Sequence, residues 1–104
     1  MSATQAEQAA WQRRAAHTLT TILREHPHLP VIAWTITPAG AALTARVTTP
    51  GDPHHSQRIF TAWATTLHLT ERRTRHPGDI FTRLSAHGHL DGTRINLSAT
   101  TSND

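Results

Sequence analysis

The sequence predicts a two-layer α+β domain, with two helices on one face of a four-stranded, largely antiparallel sheet in the order α-β-β-α-β-β. One pattern occurs twice in the 104 residues: an amphipathic helix followed by two alternating, threonine-rich strands. The two copies span about residues 4–49 and 53–100, and His26-Pro27 and His76-Pro77 precede the first strand of each. We therefore expect a single domain over residues 1–104 that ends in a polar tail at 101–104.

The first helix is predicted from about Gln5 to Glu25. Thr4 and Glu7 have the spacing of a capping box, and the two prolines that follow the segment end it. Apolar side chains recur at helical spacing between these limits. They are Trp11, Ala15, Leu19, Ile22 and Leu23.

The first hairpin is predicted from alternation over residues 31–37 and again after a Thr-Pro-Ala-Gly sequence that fits a type I turn. A four-residue loop would pair Trp34 with Leu43 and Ile36 with Ala41. In that register the apolar side chains of both strands share one face, as a half-buried sheet requires.

The second helix is predicted from Asp52, as N-cap, and Pro53, as first helical residue, through about Leu69. Residues 71–78, which contain three arginines, are interpreted as a basic connector. The apolar stripe of this helix consists of Ile59, Phe60, Trp63, Ala64 and Leu67.

The second hairpin has the strongest turn signal, Asp91-Gly92, between alternating segments at 79–90 and 93–100. A two-residue turn pairs Leu90 with Thr93, and continuing the same register aligns the apolar positions of both strands. The expected pairs further along are Gly88 with Ile95 and Ala86 with Leu97.

Six large side chains are expected to form most of the core, and truncating any one should cost about 3–5 kcal/mol. They are Trp11, Ile22, Trp34, Phe60, Trp63 and Leu84.

Composition excludes several classes of function. There is no Cys, Lys or Tyr, so disulfides and thiolate chemistry are excluded and all ten basic residues are Arg. The five glycines form no P-loop or dinucleotide pattern, and Gly-x-Ser-x-Gly is absent. We expect no catalytic residue, no cofactor and no membrane partner. Because no apolar leader is present, a cytoplasmic protein is expected.

The sheet face opposite the helices, called the open face, is predicted to be polar and mildly basic. It could be solvated, form a homodimer or protein-partner interface, or bind nucleic acid. Its predicted members are Ala33, Thr35, Thr44, Arg46, Thr48, Phe81, Arg83, Ser85, His87, His89, Arg94, Asn96 and Ser98. With the connector arginines added, the candidate interaction or nucleic-acid residues are Arg46, Arg72, Arg73, Arg75, Phe81, Arg83, Arg94 and Asn96.

Two considerations limit the nucleic-acid interpretation. Single-strand binders usually present several stacking aromatic residues, and Phe81 is the one aromatic residue expected on the open face. A helix-turn-helix is excluded because a hairpin separates the two predicted helices. Contacts with the phosphate backbone of a duplex remain compatible with the sequence, and would come from Arg72, Arg73, Arg75, Arg83 and Arg94.

His87 and His89 form a candidate metal pair. Residues two apart on a strand point the same way, and zinc and iron sites use such pairs together with a third ligand. No Asp or Glu stands at an obvious completing position, and nine histidines in 104 residues produce such pairs readily.

The segment Leu23-Arg24-Glu25-His26-Pro27-His28-Leu29-Pro30, with Trp34 on the first strand and Phe60-x-x-Trp63 on the second helix, resembles a group of small uncharacterised α+β proteins. These come from high-GC bacteria and are encoded near regulators or mobile elements. The resemblance covers roughly residues 19–100. It implies the fold, and it assigns no catalytic residue.

The leading functional expectation is a non-catalytic protein-interaction or regulatory accessory module that is homodimeric and has an unknown protein partner. The first alternative is a nucleic-acid-binding accessory protein that uses the Arg-rich connector and the open face. The second is a metal or small-ligand site at His87 and His89.

Overall fold

A computed structural model describes residues 4–37, 42–48, 53–75, 77–78 and 80–102 as two helices and a five-stranded mixed sheet. Both helices and one face of the sheet contribute to the same core. Along the chain, the elements are α1 (Gln5–Glu25), β1 (Ala33–Ile36), β2 (Ala42–Arg46), α2 (Pro53–Thr66), β3 (Thr70–Thr74), β4 (Phe81–Leu90) and β5 (Thr93–Ser102).

The sheet order is β1-β2-β5-β4-β3. The β1–β2, β5–β4 and β4–β3 pairs are antiparallel, and β2 runs parallel to β5. The α+β class and the two helices agree with the prediction. The predicted four strands and α-β-β-α-β-β order are wrong, because β3 lies within the segment interpreted as a connector.

The strand β3 was not predicted because apolar and polar residues do not alternate in its sequence. All five of its residues are exposed, so the usual sign of a half-buried strand is missing. A charged edge strand of this kind is one way that proteins avoid unwanted strand pairing. The repeat of two equal halves therefore fails at this point, since the second half contains an additional strand.

The first helix has the predicted limits. The Glu7 backbone N–H donates to the Thr4 hydroxyl at 3.1 Å, which satisfies one of the free N–H groups of the first turn. At the other end, the His26 N–H donates to the Ile22 carbonyl at 3.1 Å.

The second helix begins at Pro53 as predicted but ends at Thr66, three residues earlier than expected. Its end is a Schellman motif, in which the His68 N–H bonds the Thr65 carbonyl at 3.2 Å and the Leu69 N–H bonds the Ala64 carbonyl at 2.9 Å. His68 has φ +55°, a position that glycine usually fills. Because histidine and not glycine occupies this position, the sequence does not indicate where the helix ends.

The first hairpin has the predicted faces but a different register. Trp34 pairs with Ala45 and Ile36 with Leu43, a shift of two residues from the prediction. The Thr37 N–H bonds the Ala42 carbonyl at 3.1 Å, so the hairpin closes at Thr37 and Ala42 and not at the predicted Ile36 and Ala41. A shift of two keeps every side chain on its original face. The turn predicted at 37–40 and the N-cap predicted at Asp52 fall largely or wholly outside the described residues.

The second hairpin has the predicted register, with Ala86 opposite Leu97 and Leu90 opposite Thr93. Asp91 and Gly92 have φ +50° and +79°, as a type I′ turn requires. The strand β5 continues through Ser102, two residues into the segment predicted to be a tail, and Thr101 is buried.

The core lies between the helices and the inner sheet face. Of the six predicted anchors, Ile22, Phe60, Trp63 and Leu84 are buried. Trp34 is partly buried and packs against the same cluster, whereas Trp11 is only partly buried near the start of α1. The remaining contacts come mainly from small and branched residues of β2 and β5, including Leu43, Ala45, Ile95, Leu97 and Ala99.

Candidate functional site

The open face is uncovered along its whole described extent. Every residue that the sequence places there is exposed or partly buried, and none is buried. The structure adds Thr70, Arg72 and Thr74 on β3 and Thr100 on β5, because these pair with residues already on that face. The open face therefore extends over all five strands.

One row of side chains crosses the open face from edge to edge. The register aligns Ala33, Arg46, Ser98, Ser85 and Arg72 on successive strands β1, β2, β5, β4 and β3. At about 4.8 Å per strand, the Cα atoms of the two arginines are separated by about 14 Å, with two serines between them. A positive charge therefore lies on each side of the two serine hydroxyls at the centre of this row.

One further arginine lies in the middle of the sheet to each side of this central row. Arg83 lies between Thr74 and Thr100. On the other side of the central row, Arg94 lies between Ala42 and His89.

A row of mainly hydrogen-bonding side chains separates Arg94 from the central row. It consists of Thr35, Thr44, Asn96, His87 and Thr70.

The two other connector arginines occupy different places. Arg73 is in register with buried Leu84 and so stands on the helix side of β3, whereas Arg72 is in register with Ser85 on the open face. Arg75 follows the end of β3 and is exposed. The sequence grouped these arginines as one basic patch, and the structure divides them.

Within the described residues, the open face has no carboxylate. Glu71 pairs with Ala86 on the helix side of the sheet. Glu7 and Glu25 belong to α1, and Asp91 lies in the β4–β5 turn. The arginines of the open face therefore have no neighbouring acid among the described residues to neutralise them.

A groove of about 1140 Å³ runs over the end of the sheet where β2 and β5 finish and β4 begins. It is called the end groove here. Two exposed apolar residues lie at its rim: Phe81, 50% exposed, and Ile80, 70% exposed. The open-face residues that line it are Arg46, Thr48, Thr74, Phe81, Arg83, Ser85, Ser98 and Thr100.

The end groove could be predicted only in part. Arg46, Phe81 and Arg83 were candidates because alternation placed them on one face. Thr74 and Gly78, which also line the groove, were missed because they belong to the segment interpreted as a connector. The available signal was the pair Thr70 and Thr74 at the two ends of β3, since β-branched residues are enriched in strands.

His87 and His89 are exposed on the open face, as their spacing predicts. Their cross-strand neighbours are Asn96 and Thr70 for His87 and Arg94 for His89. Among the described residues, no group of three or more His, Asp or Glu side chains could hold a metal ion. The metal site thus stays a prediction based on two ligands.

The two edges of the sheet differ in charge. The edge strand β3 contains Glu71, Arg72 and Arg73, whereas β1 is Ala-Trp-Thr-Ile and has no charge. Because the Thr37–Ala42 bond fixes the alternation of bonded pairs, the backbone N–H and C=O groups of Trp34 and Ile36 point away from β2. The β1 edge therefore offers unpaired backbone groups and has no charge to repel a further strand.

Comparison with known proteins identifies no matching family model, curated protein or solved structure. Neither of the described helices is long and apolar enough to cross a membrane. Function must therefore be argued from the residues of the chain itself.

Proposed function

We propose that this protein is a non-catalytic interaction module whose open face binds the phosphate backbone of nucleic acid. One observation carries the proposal. Four arginines, Arg46, Arg72, Arg83 and Arg94, come from four different strands to one face that has no carboxylate among its described residues. On a sheet face that is only solvated, nothing requires acidic side chains to be absent from among the basic ones.

The residues around the arginines support phosphate as the ligand group. Guanidinium groups match the geometry of phosphate oxygens and bind them in bidentate fashion. Hydroxyl and amide side chains also supply many of the contacts that proteins make with phosphates. On the open face, Ser85, Ser98 and Thr100 lie between the arginines.

The same charge pattern argues against pairing of two open faces with each other. A face-to-face homodimer would bring the arginines of two copies together, and opposed like charges are unfavourable. The expected homodimer therefore belongs elsewhere on the molecule. We place it at the β1 edge, where a second copy could add its own β1 in antiparallel orientation.

Binding to fluorescently labelled oligonucleotides at several salt concentrations tests the proposal. We expect the affinity to fall steeply as salt rises, because each neutralised phosphate releases counterions. An affinity that does not depend on salt, or no binding at any salt concentration, would contradict it.

The consecutive residues Arg72 and Arg73 provide a matched pair of variants. Arg72→Gln and Arg73→Gln remove the same charge from neighbouring exposed positions on opposite sides of the sheet. We expect Arg72→Gln to weaken binding several-fold and to reduce the salt slope by about one. Arg73→Gln should have a clearly smaller effect. Equal effects of the two variants would mean that net charge, and not the open face, governs binding.

A further inference from the structure

We infer that the nucleic acid bound by the open face is single-stranded and that one of its bases stacks on Phe81 in the end groove. This inference rests on the proposed function and specifies its ligand. Its basis is one exposed aromatic ring, Phe81, that lies beside Arg83 in a groove that Arg46 also lines.

Phe81 is an unusual residue for an otherwise polar face. It is the first residue of β4, its side chain is 50% exposed, and Ile80 beside it is 70% exposed. Together they form an apolar rim on a groove whose other open-face residues are arginines and hydroxyls. An aromatic ring exposed in this way can receive a base, since every base has a flat π-face.

The distances suit a nucleotide. Arg83 lies two residues after Phe81 on the same face of β4, so their Cα atoms are about 7 Å apart. Arg46 lies two strands away, across Ser98 and Thr100. The end groove thus provides an aromatic surface for a base, the Arg83 guanidinium for an adjoining phosphate, and the Arg46 guanidinium for a phosphate further along the strand.

The volume of the end groove, about 1140 Å³, slightly exceeds the range of about 300–1,000 Å³ that is common for pockets that bind small molecules. Since the groove is also open along the sheet, it can accept a segment of a chain and need not enclose a separate small molecule.

A duplex would not use Phe81 in this way. In a double helix the bases are stacked on one another, and the grooves present their edges and not their faces. Unpaired bases can be splayed out and stacked on aromatic side chains. The combination of Phe81 with Arg83 and Arg46 therefore favours a single strand that stacks one base on Phe81 and is otherwise held through its phosphates, without the several aromatic residues of most single-strand binders. Because the contacts involve a base and phosphates, they apply to RNA and DNA alike.

The test compares three fluorescein-labelled probes of equal length: oligo(U), oligo(dT) and a DNA duplex. We expect the protein to bind both single strands more tightly than the duplex. A difference between oligo(U) and oligo(dT) would then identify which single strand is preferred.

Two variants separate stacking from charge. Phe81→Leu keeps an apolar side chain but removes the ring, and should weaken single-strand binding by about tenfold or more. Its slope of affinity against salt should not change, because no charge is lost. Arg83→Gln should instead reduce that slope by about 0.7, the value of one phosphate contact on a single strand.

Leu23→Ala serves as the control. Leu23 is an apolar residue of α1 that is 48% exposed, nearly the same as Phe81, and lies on the helix side of the sheet, so its loss should leave all three affinities unchanged. Phe81→Trp adds a direct readout, because stacking of a base should quench the new indole fluorescence. Thermal unfolding confirms that each variant is folded.

The outcomes distinguish this inference from the proposed function. Equal binding of duplex and single strand, with Phe81→Leu neutral, would overturn the stacking site and leave salt-dependent binding by the open face intact. Absence of binding to all three probes would overturn both.

Discussion

Trp34 and Trp63 pack edge to face, with ring centroids 5.5 Å apart and an interplanar angle of 77°. Such aromatic pairs add stability beyond the apolar area that they bury. The two indole N–H groups differ, however. Nε1 of Trp63 donates to the Pro30 carbonyl at 2.8 Å, which ties α2 to the segment that enters β1. Nε1 of Trp34 is buried and has no hydrogen-bond partner among the described residues.

This difference predicts unequal costs for the same substitution. Trp63→Phe should lower the free energy of unfolding by about 2–4 kcal/mol, because it leaves a cavity and removes the hydrogen bond to Pro30. Trp34→Phe should cost only about 1–2 kcal/mol, because it reduces packing but removes no hydrogen bond. Urea denaturation of both variants measures the difference. A larger loss for Trp34→Phe would show that its N–H is satisfied in solution.

The hydroxyls of Thr18 on α1 and Thr93 on β5 share a buried hydrogen bond of 3.3 Å. Thr18→Val and Thr93→Val should each destabilise the protein by about 1–2 kcal/mol, since each leaves one hydroxyl buried without its partner. The double variant should cost less than the sum of the two. A double-mutant cycle measured by urea denaturation should give a coupling of about 1 kcal/mol, and strict additivity would show that this bond does not help to hold α1 on the sheet.

The charge difference between the sheet edges predicts that a charge introduced on β1, but not on β3, should abolish self-association. In an antiparallel β1–β1 pair centred on Thr35, each Trp34 would face the Ile36 of the second copy, and the two Thr35 side chains would be adjacent. Thr35→Lys would place two ammonium groups side by side at an exposed position and should abolish dimer formation.

Thr74→Lys introduces the same charge at an exposed position on β3 and is the matched control. Sedimentation equilibrium without nucleic acid compares the two variants. Dimer loss in Thr74→Lys but not in Thr35→Lys would move the interface to the other edge, and a wild-type protein that stays monomeric would rule the dimer out.

The β4–β5 turn predicts a third contrast in stability. Gly92 has φ +79°, where a side chain with Cβ is strained, so Gly92→Ala should cost about 1–2 kcal/mol. Asp91→Asn should be tolerated, because asparagine also adopts positive φ in type I′ turns. The midpoint of thermal unfolding reports both, and equal effects would mean that the turn does not limit stability.

The features that were predictable from sequence are those fixed by neighbouring residues. Thr4 and Glu7 defined the start of α1, and Asp91-Gly92 defined both the turn and the register of β4 with β5. Alternation then placed Arg46, Arg83 and Arg94 on one face without knowledge of the strand order. These signals are local, so tertiary packing did not alter them.

The features that were missed depend on contacts distant in sequence. The charged strand β3 is recognisable only through its pairing with β4, which also carries Arg72 to the open face and Arg73 away from it. The parallel pairing of β2 with β5 joins segments that lie far apart in the chain. The two-residue error in the register of β1 with β2 arose because the Thr-Pro-Ala-Gly sequence fits more than one position of the hairpin closure.

The β2–β5 pairing also bears on the order of folding. Each of the hairpins β1–β2 and β4–β5 closes a short loop and can form early, whereas aligning Ala42 with Arg94 must wait until the intervening chain has been drawn together, at an entropic cost. Non-local pairings of this kind slow the folding of small domains. The rate-limiting event in refolding is therefore expected to be the pairing of β2 with β5, which joins the two preformed hairpins.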